Sequence, residues 1–133
     1  MHNEKMIKDI SNYWTKTAAH DYETMFVLYK AKRYSDSLFF GHIVLEKILK
    51  ALAVQHTRKQ APYIHDLVRL QELAKISLTD EEVDLLDSVN NFNIKSRYPE
   101  YKLLFYKTCT KKYTEKYLFR IDNLYKKLCQ TLR

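Results

Sequence analysis

The chain has 133 residues and a formal net charge of +7, with 46% hydrophobic and 29% charged residues, a composition that suits one globular domain with its own core. It holds one glycine, Gly41, and two prolines, Pro62 and Pro99. That excludes dinucleotide fingerprints and phosphate-cradling loops, which need several glycines so that backbone N–H groups can crowd a phosphate. Turn-rich all-β folds are disfavoured on the same count, and a mostly helical chain is expected. No apolar run of about 18 residues is present, so no membrane span is expected. The first five residues lack the apolar segment of a signal peptide. Cys109 and Cys129 form no CxxC pair, and the expectation is free thiols in a cytoplasmic protein.

The 3.6-residue periodicity predicts five helices. The first runs from about Lys5 to Lys32, with Ile7, Ile10, Trp14, Ala18, Met25 and Leu28 on one face. The second spans about Ser35 to His56. It is apolar at almost every third or fourth position, so it should be the central and most buried helix. Gln55 to Pro62 is polar and reads as a loop. A short third helix covers about His65 to Lys75. The fourth begins at Thr79-Asp80-Glu81-Glu82, a capping box, and should stop before Pro99, whose ring disfavours helix at Tyr98. The fifth runs from about Thr110 to Leu132, with Tyr113, Tyr117, Ile121, Leu124 and Leu128 on one stripe. The expected fold is an up-and-down antiparallel bundle of four long helices plus one short helix, with residues 1–133 as a single domain.

Charge is unevenly distributed. Residues 102–133 hold nine basic and two acidic residues, so the whole excess lies there, and residues 1–101 balance at 14 of each. A concentrated basic segment favours polyanions, although a solvated helix face has the same composition. The interleaved Tyr106, Tyr113, Tyr117 and Tyr125 suit either base stacking or the core.

Polar residues also interrupt the apolar stripes. Asp21 lies between Ala18 and Met25, and Glu46 lies between Ile43 and Leu49. A buried carboxylate needs a cation or several donors, and Arg97 and Lys50 are the candidates. The two acids therefore belong either to an ion-pair network or to the floor of a polar cleft. Asn90, Asn93 and Arg97 share one face of the fourth helix. A guanidinium beside a helix break suits a phosphate, or equally the last carbonyls of its own helix. His42 and Glu46 stand one turn apart without an evident third ligand, so no metal is expected.

Several of these pieces occur in a telling order. Trp14, Ala18 and Asp21 come first, followed by Arg33-Tyr34 and Phe39-Phe40. Leu45-Glu46-Lys47 and Lys50-Ala51-Leu52 follow, then His65-Asp66-Leu67 with Leu70, then Asn93 before Arg97-Tyr98-Pro99-Glu100. The order resembles the HEPN domain (higher eukaryotes and prokaryotes nucleotide-binding) from about Lys8 to Leu132. The resemblance implies a helical bundle, a symmetric homodimer with a cleft between protomers, and binding of nucleotides or RNA. It also implies a minimal nucleotidyltransferase as partner in a toxin–antitoxin pair.

Many toxic members of that family are metal-independent endoribonucleases whose site is an arginine followed after four to six residues by a histidine. This sequence departs from the pattern, because Arg97 is followed at the matching positions by Lys102, Leu103 and Leu104. Arg58 precedes His65 at a suitable interval but outside the family's position. A lysine is a poor proton shuttle near neutral pH. The expectation is therefore a binding module rather than an enzyme, with no cofactor. Arg97, Asn93, Asn90 and Lys102 would hold the nucleotide or phosphate, and Asp21, Glu46, Lys50 and His65 would support the cleft. A ribonuclease with an altered site and a protein-interaction subunit are the alternatives.

Overall fold

The computed structural model describes residues 3–133. Met1 and His2, the first of the five histidines, lie outside the described residues. Six helices follow one another without a strand among the described residues: α1 (Glu4–Lys30), α2 (Tyr34–Thr57), α3 (Leu67–Ala74), α4 (Asp80–Arg97), α5 (Pro99–Thr108) and α6 (Lys111–Gln130). Four are long, as expected. The short ones number two rather than one, because residues 99–108, which carry no clear periodicity, form α5. Pro99 both ends α4 and starts α5: it occupies the first turn, where a missing N–H costs nothing.

Side chains cap the helix starts. Asn3 Oδ1 accepts from the Met6 N–H at 2.8 Å, and Thr110 Oγ1 accepts from the Tyr113 N–H at 3.2 Å. The capping box is present in full, with Glu82 N–H donating to Thr79 Oγ1 at 3.1 Å and Thr79 N–H to Glu82 Oε1 at 2.9 Å. The short helix α3 begins two residues later than predicted. Asp66 stands at its N-cap and accepts from the Val68 and Arg69 N–H groups. The helix ends reflect the shortage of glycine. Lys32, Arg58 and Lys75 adopt φ of 63°, 62° and 56°, the left-handed conformation usually given to glycine at such ends.

The central helix is α2, which packs against each of the other five. Leu38, Val44, Leu45, Ile48, Leu49, Ala51 and Val54 are fully buried. Gly41 permits its close contact with α6: a Cβ there would stand 2.8 Å from Ile121 Cδ1. Ser37 Oγ donates to the Met25 carbonyl at 2.8 Å and ties α2 to α1. On α6, Ile121, Leu124 and Leu128 enter the core, while Tyr113 and Tyr117 pack half-buried against Phe92 of α4. Tyr125 is also interior, whereas Tyr106 on α5 is exposed. Both cysteines are free thiols. No helix of the described residues is long and apolar enough to cross a membrane.

Candidate functional site

The candidate site forms where α2, the loop before α3 and the end of α4 meet. On α2, His42, Glu46 and Lys50 fall at successive turns. Lys50 Nζ donates to Glu46 Oε2 at 3.0 Å, which answers the need for a cation beside that carboxylate. The pair is largely dry, with the two side chains 6% and 13% exposed. The Lys50 ammonium also lies 5.0 Å from the centre of the Trp14 ring on α1, a favourable position over a π face.

His65, from the loop before α3, completes the group. Its Nδ1 stands 3.0 Å from Glu46 Oε1, while its backbone carbonyl lies 2.9 Å from His42 Nε2. The buried His42 ring therefore donates to that carbonyl and turns Nδ1 toward Glu46 at 3.7 Å. Burial pushes the His42 pKa below the ordinary imidazole value. Glu46 and the His65 carbonyl oppose the shift, and the charges of His65 and Arg97 add to it. Arg97 meets the same helix at Phe39, three residues before His42. Among the described residues no three His, Cys, Asp or Glu side chains are arranged to hold a metal ion.

Arg97 is exposed at the last turn of α4. Its Nε donates to Asn93 Oδ1 at 2.6 Å, and its Cζ lies 5.7 Å from the centre of the Phe39 ring on α2. Asn93 and Phe39 thus orient the guanidinium by its root and face. No carboxylate pairs with it among the described residues, and the residue is exposed. The expectation that Arg97 neutralises a buried acid is not met.

The other residues singled out in the sequence divide. Asp21 does not join Glu46: it accepts from Lys47 Nζ at 2.6 Å, an ion pair between α1 and α2. Lys47 follows Glu46 by one position and so leaves α2 in a different direction. Asn90 holds the α3 entrance. Its Oδ1 accepts from the Leu67 N–H at 2.9 Å and its Nδ2 donates to Asp66 Oδ1 at 3.0 Å. Lys102 is exposed on α5. Arg58 pairs with Glu4 of α1, away from the α2–α4 group. Two members of the site carry little signal in the sequence. Phe39 stands there as one residue of the second helix's apolar face and of a motif, and His42 only as a weak metal candidate, although both lie within about two turns of Glu46 on the same helix.

Fold and site together define an all-helical bundle with an exposed arginine near a largely buried His–Glu–Lys group. A family model described as HEPN domain matches residues 11–132, nearly the whole chain. The chain belongs to the HEPN domain family, a group of helical modules related in general terms to nucleotides and RNA. Among solved structures, the crystal structure of TT1696 from Thermus thermophilus superposes with a TM-score of 0.76. The two are 18% identical, and the match covers 92% of this chain and 98% of that one. At that identity the likeness concerns the fold alone. No curated protein matches this chain in sequence.

Proposed function

We propose that residues 1–133 form one nucleotide- or nucleic-acid-binding module whose phosphate is taken by Arg97. One observation carries the reading: a solvent-facing guanidinium, fixed through Nε by Asn93 and across its face by Phe39, with no carboxylate on its fork among the described residues. A fork oriented in advance suits a phosphate, because two parallel N–H donors meet two anionic oxygens without first losing rotamer freedom. Lys102, one helix further on, adds positive field.

Thermal unfolding with and without ATP tests this. A ligand at about 100 times its Kd stabilises the folded state by about 2.7 kcal/mol, a rise on the order of 10 °C for a domain this size. The rise is expected in the wild type and absent in Arg97→Ala. Equal behaviour of the two proteins removes the proposal.

The same reading includes a homodimer. Helix α5 buries only Phe105 and leaves Tyr101, Leu103, Leu104 and Tyr106 in solvent. Such an apolar surface on a small bundle favours a second chain. An isologous contact through α5, which begins two residues after Arg97, would set the two arginines beside one cleft. A minimal nucleotidyltransferase partner in a toxin–antitoxin pair belongs to this reading as well, and co-purification from the native host tests it.

A second reading, a metal-independent endoribonuclease with an altered site, draws support from His65. Its imidazole is exposed, with Nδ1 on Glu46, the arrangement in which a carboxylate orients a base. RNA cleavage that is lost in both His65→Ala and Arg97→Ala would favour it. Intact RNA at high protein excess ends it.

A further inference from the structure

The cationic face of α6 is a separate feature from the Arg97 site. Six of its residues are basic, Lys111, Lys112, Lys116, Arg120, Lys126 and Lys127, and two are acidic, Glu115 and Asp122. Both acids are held toward α1. Tyr29 donates its phenolic O–H to Glu115 and Tyr22 donates to Asp122. Burial and the Asp122 contact raise the Tyr22 pKa to about 12, so its phenol remains a donor across the physiological range. Three of the cations are already committed: Lys111 pairs with Glu115 at 3.9 Å, Lys126 with Asp122 at 3.1 Å and Lys127 with Glu82 at 2.7 Å.

Lys112, Lys116 and Arg120 remain without an acidic partner among the described residues. They recur every fourth residue, so they climb one side of the helix at about 6 Å per step, a spacing comparable to that of neighbouring phosphates on an extended strand. Lys116 and Arg120 also flank the ring of Tyr117, at 5.7 and 5.9 Å, which limits their freedom. Phe119 lies at the edge of the same stripe and is 70% exposed. An unburied phenylalanine in a row of free cations has no part in the core, and it offers a flat apolar face to a base.

We infer that this face of α6 is a track for single-stranded nucleic acid, with Lys112, Lys116 and Arg120 on consecutive phosphates and Phe119 stacked on a base. Cations that follow a backbone, combined with aromatic faces, are how strands are held without reading their sequence. The inference extends the nucleic-acid reading of the Arg97 site but rests on a different surface.

The test is fluorescence anisotropy of a labelled oligouridylate of about twelve nucleotides, measured from low to high salt. Each phosphate contact on a single strand contributes about −0.7 to the slope of log K against log salt. The triple variant Lys112→Gln/Lys116→Gln/Arg120→Gln is expected to lose about 2 from that slope. Phe119→Ala is expected to bind on the order of tenfold more weakly with the slope unchanged. Circular dichroism melts check that the surface variants fold as the wild type does. The triple variant should keep its ATP-dependent thermal shift, so that failure of the track and failure of the Arg97 site are read separately. Wild-type affinity and slope in the triple variant overturn the inference. So does equal binding of a duplex with no effect of Phe119→Ala, or binding to anionic vesicles but not to the oligonucleotide.

Discussion

His42 is a buried imidazole whose pKa burial has lowered, and that has a consequence for stability. The unfolded chain takes up a proton at about 6.5, whereas the folded chain resists it to a lower pH. Stability is therefore full above that value and declines as the pH drops from about 6.5 toward the folded value. Part of the stability present at pH 7 is therefore expected to be lost at pH 5 through this group. Replacement by His42→Gln, which retains a donor for the His65 carbonyl, should flatten that part of the curve. Urea unfolding at the two pH values measures it, and an undiminished acid sensitivity in the variant contradicts the assignment. At this scale the sequence is legible where partners share a helix. Glu46 and Lys50 stand one turn apart, and their pairing follows from spacing alone. The Asp21–Lys47 bond is not legible, because it depends on how α1 and α2 align along each other. The approach of His65 to Glu46 depends on where the loop before α3 returns.

Individual helices follow from the sequence where both a start signal and a periodic stripe are present. Thr79 with Glu82 marks the beginning of α4, and the dense apolar pattern of α2 foretells its central place. Helix α5 has neither signal: it buries one side chain, Phe105, and spreads Tyr101, Leu103, Leu104 and Tyr106 around its exposed sides. Pro99 is legible as a stop but not as a start, although proline serves both ends of such a break. The helix ends provide a test of backbone strain. Lys75 closes α3 at φ 56°, in a region that costs an L residue roughly 1–2 kcal/mol. Lys75→Gly should stabilise the fold by about 1 kcal/mol, less the entropy that glycine loses on folding, and raise Tm by a few degrees. A lowered Tm in calorimetry would show that the lysine side chain matters more than its backbone angle.

For the whole molecule, the distribution of charge and grease separates three surfaces. The interior gathers around α2. Helix α6 presents the unpaired cations, and α5 presents apolar side chains with little to cover them, Leu104 among them at 67% exposed. Dimerisation through α5 predicts a species of twice 16.0 kDa in light scattering, reduced to monomer by Leu103→Glu/Leu104→Glu. A wild type that stays monomeric at all concentrations contradicts it. The sequence alone does not separate this surface from a buried stripe, since an apolar residue facing another helix looks the same within a chain as between chains. The positive balance of residues 102–133 is readable directly. Which of those cations are free depends on the two tyrosines of α1 that hold the acids of α6 aside.

Phosphate recognition by Arg97 is the claim on which the functional account depends. The most direct measurement follows the arginine Nε–H resonances of the 15N-labelled protein by NMR as ATP is added. The Arg97 signal, identified by its absence from Arg97→Lys, should shift progressively and saturate, with the Asn93 side-chain amide moving in step. A signal that stays in place while resonances elsewhere move and saturate would contradict the account.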